Sequence, residues 1–147
     1  MAALLHKHPT ASVSAAATAT LVAAYSPQLL MDAGQFARLP LALRLGWLAL
    51  LVVAPPFVAF VAAQRHRRTP AWTWLGVGLP VPVAAALLVW LDVSLEVRSG
   101  YLLAGSGEEA MAYGIGTALG IAGGIVLAVL VTTAAWMGAT GSRSSGS

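Results

Sequence analysis

Asp92, Glu96, Arg98, Glu108 and Glu109 are the residues with which an enzyme at a membrane surface would have to work here. They fall in one stretch, DVSLEVRSGYLLAGSGEEAMAY at 92–113. Glu108 and Glu109 are adjacent, and neighbouring side chains diverge on a helix, so the two carboxylates cannot flank one substrate. They suit the first turn of a helix, where negative charge meets the positive end of the dipole. His6, His8 and His66 all lie outside the apolar runs, which leaves no paired histidines for a haem between helices. The HKH at 6–8 would need further ligands to hold a metal. The chain has no cysteine, which excludes disulfides, thiolate metal sites, cysteine nucleophiles and thiol oxidoreductases. It has no phosphate loop, nucleophile elbow or zincin motif. The expectation is a protein that is not an enzyme, with no catalytic residue, metal or cofactor.

Ion and proton carriers keep an ionisable side chain at depth in the membrane, where it is costly. The apolar runs of this chain contain none, and Asp92 stands at the end of one. That argues against small multidrug-type exporters, which need a buried glutamate, and against proton-relay subunits.

The elements that must position any site are set by composition. Of 147 residues, 59% are hydrophobic and 9% charged. A soluble domain has roughly 25% charged residues, and eight basic with five acidic side chains cannot cover a soluble surface of this size. Residues 45–63, 71–91 and 114–137 are uncharged over 19, 21 and 24 positions. At 1.5 Å per residue they reach roughly 28–36 Å, enough for a hydrocarbon layer of about 30 Å. Backbone groups in lipid must bond within the chain, so each run is expected to be a helix. Residues 12–31 form a fourth uncharged run diluted by Ser, Thr, Gln28 and Pro27. Three readings of it stay open: a span, a helix lying in the interface, and a secretory signal peptide. Against the last, Lys7 alone is a thin basic region, and no clean cleavage site follows.

Charge placement favours the span. The QRHRRTP loop at 64–70 puts Arg65, Arg67 and Arg68 on the cytoplasmic side. With four spans both termini are cytoplasmic; Lys7 and Arg143 join that loop, against Arg38, Arg44 and Arg98 outside. Without the first span the two sides carry equal numbers. The three loop arginines are placed to touch anionic lipid headgroups. Trp47, Trp72, Trp74, Trp90, Tyr113 and Trp136 lie near expected helix ends, at headgroup level. The net charge of +3 comes without a basic stripe interleaved with aromatics, so nucleic acid is not expected as a partner.

Ala112, Gly116, Gly120, Gly124 and Ala128 recur every fourth residue and share one helix face. In lipid, helices associate through close backbone contact, which small residues permit. The stripe is therefore a packing groove, either for a helix of the same chain or for a partner. Pro55 and Pro56 fall mid-run, as do Pro80 and Pro82, and kinks are expected at both places. The segment 92–113 is expected to be the largest loop, with GEEAMAY beginning the last helix early. Residues 138–147 are expected to form a flexible Gly/Ser-rich tail.

The sequence thus points to an all-α polytopic membrane helical bundle of four transmembrane helices over residues 1–137. It would sit in the plasma (cell inner) membrane among lipids. Its function would be helix packing, as an accessory subunit or a self-associating bundle, with a membrane-protein partner or a second copy. The alternative is a small pore, holin-like protein or permease; the Ser/Thr face of 12–31 and the mid-run prolines allow it.

Overall fold

A computed structural model describes residues 8–31, 33–66 and 69–141. Among these the regular structure is entirely helical: α1 (Pro9–Leu29), α2 (Ala33–Arg38), α3 (Leu41–Gln64), a 3-10 helix (Ala71–Gly76), α4 (Pro80–Ser99) and α5 (Gly107–Thr140). Leu41–Gln64, Trp72–Ser99 and Gly107–Thr140 are long and apolar enough to cross a membrane. α1 has the length, 21 residues, but is more polar. Ser12, Thr20 and Ser26 donate to the carbonyls of Pro9, Ala16 and Ala23 at 2.8 Å. That satisfies hydroxyls which lipid would leave unpaired. Ser26 caps the carbonyl that would otherwise wait for the amide Pro27 lacks.

α1 packs on α3 and α4, and α5 packs on the same two helices. The four long helices therefore form a ring in which α1 faces α5 and α3 faces α4. Trp47 on α3 donates to the carbonyl of Ala24 on α1 at 2.8 Å, so the end of α1 meets the start of α3 and the two run antiparallel. Tyr25 on α1 meets Asp92 on α4, each in the C-terminal half of its helix, which makes that pair parallel. The middle of the ring is filled by Val13, Ala17, Val81, Val131 and Ala135 around Trp74, all buried.

Four expectations change. The run 71–91 is not α-helical throughout. The 3-10 helix and a turn at 77–79 precede α4, which starts on Pro80. Pro80 and Pro82 thus occupy the first turn, where a missing N–H costs nothing, and they start a helix instead of kinking one. Trp74, expected at the headgroups, is fully buried in the core. The loop at 92–113 shrinks to residues 100–106, because α4 runs on to Ser99. Gly100 stops it in the left-handed conformation (φ +80) that glycine alone adopts without penalty. Finally, the last helix extends to Thr140, so Gly138 to Thr140 are helical and not tail; residues 142–147 lie outside the described residues.

α5 does begin early, at Gly107. Ser106 caps it, its Oγ accepting from the Glu109 amide at 3.2 Å, and the Glu109 carboxylate accepts from the Gly105 amide. This is close to a capping box and accounts for Glu109, while Glu108 sits in the first turn, where the helix dipole favours an acid.

Candidate functional site

The glycine stripe faces α4. A Cβ at Gly116 would stand 3.1 Å from Val89 Cγ1. One at Gly120 would stand 3.0 Å from Val89 Cγ2 and 3.3 Å from the carbonyl oxygen of Ala85. At Gly124 it would lie 2.6 Å from Pro82 Cα and 3.0 Å from Ala85 Cβ. Ala128 continues the seam: its carbonyl closes on Gly78, whose amide donates to Thr132 Oγ1 at 3.2 Å. Ala112, at the other end, is half-buried. The groove is thus filled within the chain by α4 and the turn before it. α3 and α5 meet through a second close approach, where Gly138 abuts the backbone of Phe60.

α3 runs unbroken through Pro55 and Pro56. The two prolines deprive the carbonyls of Leu51 and Val52 of their helical donors. Arg65 is exposed just beyond α3. Arg67 and Arg68 lie outside the described residues, as do His6 and Lys7 of the HKH.

Composition and spacing missed one cluster. Asp92 does not end its helix but sits seven residues before the last, about 10 Å in at 1.5 Å per residue. Its Oδ2 accepts from Tyr25 Oη at 3.0 Å and from Gln28 Nε2 at 3.5 Å. Tyr25 and Gln28 are i and i+3 on α1, hence on one face. The Tyr25 ring lies 5.8 Å from that of Trp47, which packs edge-on against Phe36 at 5.2 Å. A carboxylate is held inside the bundle by two neutral donors, and an aromatic wall stands behind one of them.

Two cavities adjoin this cluster. One, about 360 Å³, lies among α1, α3, α4 and α5, and its walls are almost wholly apolar; Leu21, Tyr25, Val52, Leu88, Gly123 and Leu127 are among them. The other, about 280 Å³, is lined by Gln35, Asp92, Glu96 and Ser99 together with leucines and Met31. Tyr25 borders the first space and Asp92 the second. On the opposite side of α5 from the filled stripe, Gly114, Ala118 and Ala122 form a second row of small residues, all exposed. No family model, curated protein or solved structure matches the chain.

Proposed function

We propose that this is a non-enzymatic membrane protein that acts by helix packing, as an accessory subunit or a self-associating bundle. The observation behind this is the outer face of α5. Gly114, Ala118 and Ala122 recur every fourth residue there, and a Cβ at Gly114 would meet nothing within 4 Å. In lipid such a row lets a second backbone approach closely, which is where association energy comes from when both helix and solvent are apolar. The partner-facing row is this one, since the stripe at 116, 120 and 124 is occupied by α4. A pore through one chain has less to build on: Trp74, Val81 and Val131 close the axis at the end where α1 starts, beyond the apolar cavity.

In this proposal α1 is the fourth span. Its length, the hydroxyls of Ser12, Thr20 and Ser26 bonded within the helix, and its place in the ring support that reading. Both termini then lie on the cytoplasmic side of the cell inner membrane, with the 64–70 arginines. Reporter fusions at each end test the topology; activity of a periplasm-dependent reporter at either end would overturn it. Photoreactive crosslinking from Ala118 tests the function. Capture of a second copy or of another membrane protein is the expected result. Crosslinks to lipid alone would sink the proposal.

A further inference from the structure

We propose that the two adjoining cavities form one binding site for a lipophilic cation, a molecule with a hydrocarbon body and a single ammonium end. This goes beyond a role in helix packing and rests on different residues.

The spaces lie end to end along α1 and α4. Tyr25 lines the apolar one, Asp92 lines the polar one, and the two side chains are hydrogen-bonded to each other. The apolar cavity, at about 360 Å³, falls within the roughly 300–1,000 Å³ range of small-molecule sites, and its lining is hydrocarbon apart from the Tyr25 side chain. Its surroundings are membrane helices, so its ligand arrives from the lipid phase.

The polar end sets the charge of the ligand. Asp92 and Glu96 are one helical turn apart and both line the smaller cavity. No Lys, Arg or His is among the described residues that line it. Tyr25 and Gln28 both donate to the same oxygen of Asp92, Oδ2, which leaves Oδ1 to accept from a further donor. A half-buried carboxylate that Tyr25 and Gln28 meet with neutral donors on one oxygen, as they do Asp92, favours a cationic head that can donate a further hydrogen bond. An anionic head would meet like charge, and a hydroxyl would leave the charge uncompensated.

The test uses the full-length protein in nanodiscs and equilibrium binding of radiolabelled dodecylamine, with empty discs as background. Dodecanol and dodecanoate serve as head-group controls. Two variants separate the ends of the site. Asp92→Asn removes the charge and keeps an acceptor for Tyr25. Gly123→Leu fills the apolar cavity from a position where an added Cβ meets nothing within 4 Å, so the bundle itself is not pried apart. The expected result is saturable amine binding to the wild type, weakened about tenfold or more by Asp92→Asn, the scale of one charge-assisted hydrogen bond. Gly123→Leu is expected to weaken the amine comparably. Absence of saturable amine binding to the wild type overturns the proposal. So does dodecanol or dodecanoate binding as tightly as the amine, or unchanged binding in both variants.

Discussion

Replacing Gly124 by alanine puts a methyl group where α4 already stands. The new Cβ would lie 2.6 Å from Pro82 Cα and 3.0 Å from Ala85 Cβ. Carbon atoms in contact rest about 3.5–4.0 Å apart, so the overlap with Pro82 is roughly an ångström. The obstacle is backbone, which cannot swing aside as a flexible side chain would, so α4 and α5 must part. Overpacking costs about 1–3 kcal/mol, and a backbone obstacle places this case near 3. Alanine returns about 1 kcal/mol of helix propensity over glycine. The net expectation is a loss of about 2 kcal/mol. Gly123 supplies the internal control, because a Cβ there meets nothing within 4 Å. Gly123→Ala keeps the propensity gain without the overlap, a change of up to about 1 kcal/mol in the stabilising direction. Unfolding by graded SDS in mixed micelles, followed by circular dichroism, separates two such variants. Equal midpoints for the two, or a Gly124→Ala protein more stable than Gly123→Ala, would refute the reasoning.

Three further outcomes follow from the same contacts. Gly78→Ala drives a methyl into the carbonyl of Ala128 and displaces the bond from the Gly78 amide to Thr132, so the variant is expected to accumulate poorly in membranes, while Gly46→Ala, with open space around it, accumulates normally; immunoblotting of membrane fractions compares them. Trp47→Phe keeps a ring against Tyr25 and Phe36 but loses the donor to the Ala24 carbonyl, a cost of about 1–3 kcal/mol in the same SDS titration. Ser106→Ala removes the cap of α5 and is expected to cost about 0.5–2 kcal/mol, read as lost protection from hydrogen exchange at the Glu109 amide.

The long apolar runs were enough to foresee helices, because length and hydropathy alone decide what can cross lipid. The ends of the helices were harder. Asp92, Glu96 and Arg98 read as loop residues by their charge, yet charge does not stop a helix; Gly100 does, through its positive φ. Pro80 was the one local sign that the run at 71–91 divides, since proline at a first helical position starts a helix as readily as an interior proline bends one. Periodicity showed which face of α5 is small but not what lies on it, for a repeat of four fixes direction and says nothing of neighbours. It also hid the row at 114, 118 and 122 behind the more conspicuous glycines. Tyr25 and Gln28 share a face of α1, and Asp92 lies more than sixty residues further along. Only the parallel packing of α1 on α4 joins them.

The central structural claim is that the 116–120–124 glycine seam closes within one chain, which leaves the 114–118–122 row for a partner. The chain has no cysteine, so an engineered pair reports without background. A Cβ at Gly120 would stand 3.4 Å from Val89 Cβ, about 0.1 Å under the roughly 3.5–4.5 Å that a disulfide spans, a gap a small adjustment closes. The measurement is oxidation of the Gly120→Cys, Val89→Cys double variant in native membranes, followed by non-reducing electrophoresis. A monomer-sized band with shifted mobility, restored by reductant and absent from either single variant, is the predicted result. A dimer-sized band formed by the double variant in place of that monomer would contradict the account, because it would place α4 of a second chain against the stripe.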